Sequence, residues 1–199
     1  LVCVFASPIY HDHWTEALKA IHAHLRPAVL IGCSGSGVIG GERECEWVPA
    51  LSLVAASLPG VRLYPFAVRP EELEISGPGG FWVDKIGVVV ADRPVFILCV
   101  DPYTGQPAKL VEELNATFPD CPIVGGLVSG GNGAGEHLLF YDTEPLRDGA
   151  AIGLAMTGNI ALETVIAPSC RAIGRPYVIT KAEENIIWEL GGRQALDVL

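Results

Sequence analysis

Residues 31–41 have the sequence Ile-Gly-Cys-Ser-Gly-Ser-Gly-Val-Ile-Gly-Gly, and residues 122–135 have the related sequence Pro-Ile-Val-Gly-Gly-Leu-Val-Ser-Gly-Gly-Asn-Gly-Ala-Gly. In both places a short apolar run, typical of a buried strand, leads into closely spaced glycines. Glycine has no Cβ, so these positions allow left-handed backbone or a close approach between chain segments. We name residues 32–41 the first glycine stretch and residues 125–135 the second glycine stretch.

The same order of elements surrounds both glycine stretches. A strand, a helix, a strand, a glycine stretch and three further strands follow one another twice, at an offset of about 93 to 100 residues. The repeats cover about 1–68 and 95–168, and residues 69–94 are expected to link them. The sequence predicts an α/β (α+β) fold in which a duplicated β-α-β-β-β unit forms mixed sheets, packed as a helix/sheet/sheet/helix sandwich.

Apolar spacing places the individual elements. Trp14, Leu18, Ile21 and Leu25 recur at three- and four-residue intervals, which predicts a helix over 13–25. Proline in the first turn favours further helices at Pro70 and Pro107. The remaining expected elements are strands at Leu1–Ser7, Ala28–Ile31, 49–58, Val61–Val68, Val95–Val100, 123–124, His137–Tyr141, Gly149–Met156 and 160–168, an edge strand or hairpin at 42–47, a strand or linker at 86–90, and a hairpin of 177–181 and Ile186–Leu190 joined by 182–185.

Composition excludes several classes of function. Half of the 199 residues are hydrophobic and 18% are charged, so a substantial core can form. The formal net charge is −10, from 13 basic and 23 acidic residues, and the basic residues do not cluster. We therefore expect no nucleic-acid partner and no membrane partner, because phosphate-rich surfaces are bound by clustered Lys and Arg. The longest charge-free apolar stretches also fall short of the roughly 20 residues that span a bilayer.

The six cysteines are interpreted as reduced thiols. Cys3 and Cys99 lie in apolar strand-like runs, and no Cys-x-x-Cys pair occurs. Buried free thiols of this kind are typical of a reducing compartment, so a cytoplasmic location is expected.

The glycine stretches are the candidate ligand site. Successive backbone N–H groups in such stretches can hold a carboxylate or a phosphate, and hydroxyl and amide side chains can add hydrogen bonds. The alternative is that the glycines only allow tight turns and close packing. The candidate ligand-binding residues are Gly32, Cys33, Ser34, Gly35, Ser36, Gly37, Gly125, Gly126, Ser129 and Asn132.

No cofactor, metal or enzymatic activity is expected. No Gly-Lys-Ser/Thr follows the first glycine stretch, and the G-x-G-x-x-G match at 35–40 is followed by a predicted hairpin instead of a helix. His22 and His24 point to different sides of a helix and cannot share one ion. A hydrolase using Cys33 is the least favoured hypothesis, because a nucleophile needs a nearby base and only His11 offers one.

Several motifs together resemble the FIST domain, a signal-transduction module. The resemblance covers about 1–170 and is carried by Val4-Phe5-Ala6-Ser7, Ile31-Gly32-Cys33-Ser34, Gly37-Val38-Ile39-Gly40-Gly41 with Glu44, Ala50-Leu51-Ser52-Leu53, Pro122-Ile123-Val124-Gly125-Gly126 and Gly149-Ala150-Ala151-Ile152-Gly153. Residues 178–180, 190–192 and 195–196 are similar to the opening of the C-terminal FIST region. Residues 1–173 are thus expected to be an N-terminal FIST-like domain, and 174–199 the truncated start of the C-terminal region.

The resemblance implies a sensory domain. Its expected role is to bind a small ligand, such as an amino acid or a derivative, and to couple binding to signalling. Because one eukaryotic FIST region recognises proteins beside an F-box, a protein-interaction or substrate-recognition scaffold is the alternative. That alternative predicts an exposed apolar patch around Trp82 or Trp188.

Overall fold

The structure is a computed structural model that describes residues 1–10, 13–46, 48–165, 171, 173–183 and 186–198. It divides into two units, Leu1–Glu163 and Thr164–Leu199. In chain order the first unit contains β1 (Val2–Ala6), α1 (Trp14–Leu25), β2 (Leu30–Ser34), β3 (Gly37–Gly40), β4 (Arg43–Glu46), β5 (Leu51–Ala55), β6 (Val61–Val68), α2 (Pro70–Ile75), α3 (Gly80–Ile86), β7 (Val95–Val100), α4 (Pro107–Thr117), β8 (Ile123–Leu127), β9 (Leu139–Tyr141), β10 (Glu144–Leu146) and β11 (Ala151–Gly158).

Two mixed sheets organise the described part of the first unit. The first sheet has the strand order β10-β9-β2-β1-β5, and the second has the order β6-β11-β7-β8. In each sheet a strand–helix–strand connection gives one parallel pair, β1 with β2 through α1 and β7 with β8 through α4. Each sheet also takes strands from the other half of the chain, since β9 pairs with β2 and β6 pairs with β11. The matching units agree with an internal duplication, which stays a prediction.

Three clusters of buried apolar side chains among the described residues define the layers. One lies between α1 and the first sheet and includes Trp14, Leu18 and Phe140. A second, with members such as Ile31 and Ile152, lies between the two sheets. The third lies between the second sheet and the helices α2, α3 and α4, and contains Leu73, Trp82, Phe96, Leu110 and Phe118. The order helix, sheet, sheet, helix confirms the predicted sandwich.

Local sequence explains where the helices begin and end. The apolar side of α1 buries Trp14 and Leu18, and the helix stops at Arg26, whose left-handed φ of 46° precedes Pro27. In α2 the side chain of Glu72 accepts a hydrogen bond from the Arg69 amide at 2.9 Å, which caps the first turn. The predicted helices at 13–25, Pro70 and Pro107 are therefore confirmed.

Three segments differ from the sequence prediction. Most of the first glycine stretch belongs to β2 and β3, and Gly125 and Gly126 belong to β8. The expected linker 69–94 forms α2 and α3, because its apolar side chains pack on the second sheet. The expected strand over 160–168 is not formed at residues 160–165, and its remainder lies outside the described residues.

The second unit is small and is described by itself. It contains β12 (Ile179–Glu183), β13 (Ile186–Leu190), β14 (Arg193–Gln194) and α5 (Ala195–Val198), with the strand order β12-β13-β14. The antiparallel pairing of β12 with β13 confirms the predicted strand pair, although Glu184 and Asn185 between them lie outside the described residues. No helix that the structure describes combines the length and apolar character needed to cross a membrane.

Candidate functional site

The two glycine stretches meet at the carboxyl ends of β2 and β8. The amide of Ser36 donates a hydrogen bond to the Ser129 hydroxyl at 3.0 Å, and the Ser34 hydroxyl donates to the Ser129 carbonyl oxygen at 3.0 Å. The hydroxyl oxygens of Ser36 and Ser129 are 3.3 Å apart. Ser129 is therefore the residue through which the second stretch is fastened to the first.

Two serines at this edge serve the fold. The Ser34 hydroxyl accepts a hydrogen bond from the Leu138 amide at 3.1 Å, and the residue is 1% exposed. The Ser7 hydroxyl donates to the Val48 carbonyl oxygen and accepts from the Ala50 amide, both at 2.9 Å. Because their hydrogen bonds connect chain segments, Ser7 and Ser34 fix the shape of the site more than they offer groups to a ligand.

Close packing between the stretches depends on Gly130. Its φ is +102°, and a Cβ built there would lie 2.9 Å from Cγ of Pro8 and 3.4 Å from the carbonyl carbon of Gly35. A side chain at position 130 would thus combine backbone strain with a steric clash. The glycine is required for contact between the second stretch and the segment that follows β1.

A cavity of about 370 Å³ lies where the stretches meet. Its wall combines a polar side, made of serine hydroxyls, glycine backbone and one side-chain amide, with an apolar side. The lining residues are Ser7, Pro8, Ile9, Ser36, Val48, Ser129, Gly130, Gly131 and Asn132. None of these described lining residues is charged, so the cavity suits a ligand without net charge or a single carboxylate held by hydrogen bonds.

Some backbone donors in the wall remain available. The amides of Ser34, Gly35 and Ser36 are already bonded, to Leu138, Ala6 and Ser129. By contrast, the amides of Gly130 and Gly131 donate no hydrogen bond to any residue that the structure describes. Free N–H groups in successive residues are the kind of donor that binds carboxylates and phosphates.

Other predicted site residues lie away from this cavity. Gly32 and Gly125 lie inside the sheets, opposite Val4 and Leu98 of the neighbouring strands. Gly37 begins β3 and faces Glu46. Gly125 and Gly126 line a separate, largely apolar cavity of about 600 Å³ between β8 and α4. The structure therefore brings Ser34, Gly35, Ser36, Ser129 and Asn132 together, and Ser36, Ser129 and Asn132 line the cavity. The remaining predicted residues support strands or line other surfaces.

Cys33 lies against the apolar core between the two sheets. The neighbouring Cys99 thiol and burial together raise the pKa of the Cys33 thiol above its ordinary value. A raised pKa leaves little thiolate at neutral pH, and the thiolate is the reactive form. The environment of Cys33 therefore disfavours a nucleophilic role, and His11, the base considered for it, lies outside the described residues.

A buried carboxylate–imidazole pair lies next to the second glycine stretch and was not predicted from the sequence. Asp101 and His137 are each 3% exposed, and Oδ2 of Asp101 lies 3.0 Å from Nδ1 of His137. Tyr103 stacks on His137, with ring centroids 5.6 Å apart, and its hydroxyl donates to the Asn132 carbonyl oxygen at 3.1 Å. The sequence signal that could have indicated this pair is Asp101-Pro102-Tyr103. This segment follows β7 in the same way that Ser7-Pro8 follows β1, at the edge of the sheet where the candidate site lies.

Within the part of the chain that the structure describes, no group of three or more His, Cys, Asp or Glu side chains is arranged to hold a metal ion. His22 lies 3.3 Å from Asp142 through Nε2 and Oδ1, and His24 contacts the Ala20 carbonyl oxygen. These two histidines have separate partners, as the helical spacing predicts.

Comparison with known proteins places the chain in a family. The model of the FIST N domain matches residues 1–193. Uncharacterized proteins of Mycobacterium tuberculosis H37Rv and Mycobacterium bovis are each 32% identical to the chain, over 98% and 100% of its length and 49% and 50% of their own. The chain thus spans about half the length of these curated relatives. FIST domains are generally associated with sensory and signalling roles. With nearly its whole length matched, the chain belongs to the FIST N domain family.

Proposed function

We propose that this chain is a sensory domain that binds a small carboxylate ligand, an amino acid or a derivative, in the cavity between the two glycine stretches. The observation that carries the proposal is the Ser36–Ser129 junction, which brings both stretches to one cavity. Ligand binding there would be coupled to signalling through the contacts between the stretches, because these contacts join the two sheets.

The composition of the wall supports an amino acid as ligand. The amides of Gly130 and Gly131 and the hydroxyl of Ser129, which only accepts in its bonds with Ser36, offer hydrogen bonds to a carboxylate. Ile9 and Val48, which are 65% and 50% exposed, offer an apolar surface to a ligand side chain. A volume of about 370 Å³ suits a small metabolite and lies near the lower end of ligand sites in general.

Thermal-shift screening of the full chain against the twenty amino acids and their N-acetyl derivatives tests the proposal. A ligand present at 100 times its Kd stabilises the folded state by about 2.7 kcal/mol, which raises the Tm by roughly 5–10 °C. Isothermal titration of the best ligand then measures its Kd. If no compound in the screen raises the Tm of the chain, the proposal is contradicted.

A matched pair of variants locates the site. Val48→Trp fills the cavity and is expected to abolish binding, whereas Val90→Trp places the same side chain at an exposed position, 39% accessible, away from the cavity. Circular dichroism checks that both variants fold. Equal ligand affinity in the two variants would place the binding site elsewhere.

A protein-interaction scaffold is the second candidate function. The prediction of an exposed apolar patch around Trp82 is wrong. Trp82 is fully buried and donates a hydrogen bond to Glu113 at 2.8 Å. Trp188 supports the candidate, because it is 49% exposed and Ile186 and Ile187 on the same strand are also exposed. The variant Trp188→Ser separates the two functions. The scaffold function predicts that this variant no longer captures a protein partner in a pull-down experiment but still binds the ligand.

A further inference from the structure

We propose that Asp101, His137 and Tyr103 form a brace that holds the second glycine stretch in its ligand-binding shape. None of the three lines the cavity, so each is a positioning residue. The inference rests on the proposed function for the role of the cavity, but the brace itself can be tested without ligand.

Asp101 is the fixed end of the brace. It follows β7, its amide donates to the Ala150 carbonyl oxygen at 2.8 Å, and the residue is 3% exposed. Its Oδ1 accepts hydrogen bonds from the amides of Tyr103 and Thr104 at 2.8 and 2.9 Å. Because the carboxylate closes the turn after β7, it sets the direction in which Tyr103 leaves the sheet.

His137 connects the carboxylate to the aromatic ring. With Nδ1–H donating to Oδ2 of Asp101, the plane of the imidazole is fixed. The Tyr103 ring lies nearly parallel to this plane, at an angle of 18°. Tyr103 is itself 56% exposed, so the buried histidine supplies the surface that orders an otherwise exposed aromatic side chain.

Tyr103 is the end that touches the second glycine stretch. Its hydroxyl donates to the carbonyl oxygen of Asn132, while the Asn132 amide donates to the Glu136 carboxylate at 2.7 Å. Asn132 is thus held at both of its peptide groups, immediately after Gly130 and Gly131. Since glycine backbone is otherwise highly flexible, these bonds determine where the two free amides point.

The first test uses the ligand-free full chain and NMR. Tyr103→Phe keeps the stacked ring and removes the hydroxyl, so we expect shifted amide signals and lower 15N order parameters at Gly130 and Gly131 with little change in Tm. Tyr64→Phe is the matched control, because the Tyr64 hydroxyl has no hydrogen-bond partner among the described residues. Unchanged signals and order parameters at both glycines in Tyr103→Phe would overturn the proposal.

The second test separates positioning from folding at the histidine. His137→Leu leaves the Asp101 carboxylate without its ring donor, and both stability and loop order are expected to fall. His137→Asn restores an N–H donor near the position of Nδ1, and is expected to restore the Gly130 and Gly131 order parameters partly. Failure of Asn to restore them in a folded variant would overturn the role assigned to the Asp101–His137 bond.

Ligand binding provides the third test. The probe is N-acetylglycine, the smallest N-acetyl amino acid, which carries one carboxylate and no other charge. Loss of the Tyr103 hydroxyl is expected to raise its Kd about three- to tenfold, the effect of one hydrogen bond. An unchanged Kd in Tyr103→Phe would overturn the positioning role. If N-acetylglycine and the screened amino acids fail to bind the unaltered chain, the proposed function fails, whereas the NMR result still decides whether the brace exists.

Discussion

Gly32 and Gly125 show at the scale of single residues why glycine is required inside the sheets. A Cβ built on Gly32 would lie 1.8 Å from the carbonyl oxygen of Val4, and one built on Gly125 would lie 2.0 Å from that of Leu98. Both partner atoms belong to the backbone of the paired strand, so they cannot move aside as a flexible side chain can. Each parallel pair, β1 with β2 and β7 with β8, therefore contains one position that only glycine fits.

A substitution at Gly32 tests this steric requirement. Gly32→Ala is expected to destabilise the fold by about 3 kcal/mol or more, because β1 and β2 must separate to admit the methyl group. Gly126→Ala is the control, since a Cβ there meets nothing within 4 Å. Urea denaturation measures both free energies of unfolding. A Gly32→Ala variant as stable as Gly126→Ala would refute the close approach of the two strands.

At the scale of elements, α2 and α3 are joined by a charged pair. Lys85 of α3 lies 2.5 Å from Oε1 of Glu72, and the other carboxylate oxygen caps α2 through the Arg69 amide. Burial alone would raise the pKa of Glu72, but the hydrogen bonds from Lys85 and Arg69 and the two positive charges together lower it below its ordinary value of 4.5. One side chain thus stabilises the start of α2 and its contact with α3.

The lowered pKa of Glu72 gives a defined pH dependence. The ionised carboxylate stabilises the fold above about pH 4.5, its ordinary pKa, and this contribution is lost as the pH falls through the lower folded-state pKa. Glu72→Gln is expected to lower the Tm by about 1–4 °C at pH 7, with the difference shrinking below pH 4.5. Thermal melts from pH 3 to 7 test this against Glu71→Gln, which removes the same charge from an exposed neighbour. If the Tm difference between Glu72→Gln and the unaltered chain persists at pH 3, the ionised carboxylate of Glu72 does not stabilise the fold as described.

The elements also show how far sequence reasoning reaches. Regular apolar spacing was sufficient to predict α1. The alternation of side chains along the strand was sufficient to predict β6, whose predicted bounds are those observed. In α3 the buried residues Trp82 and Ile86 follow a flexible glycine-rich segment and span under two turns, so no periodic signal could develop. The Asp101–His137 contact joins residues 36 positions apart, so it depends on tertiary packing that no local sequence pattern reveals.

At the scale of the whole molecule, the apolar cores lie within the first unit. The described members of all three buried clusters fall between Leu1 and Leu162, so each layer of the sandwich is complete without residues of the second unit. The proposed ligand cavity and the brace beside it are also formed only by residues of the first unit. The second unit, by contrast, contains no buried side chain among its described residues.

This distribution predicts that the first unit folds by itself. A chain ending at Glu163 is expected to unfold in a single cooperative transition with a Tm within a few degrees of the full chain, because it retains every buried cluster. Residues 164–199 alone are expected to be unfolded, since a segment below about 40 residues without disulfide or metal rarely buries enough apolar surface. Circular dichroism melts of the two pieces and the full chain measure this, and binding of N-acetylglycine to the shorter chain tests the cavity. A chain of residues 1–163 that fails to fold would show that the sandwich depends on the segment that follows it, and would overturn the division into independent units.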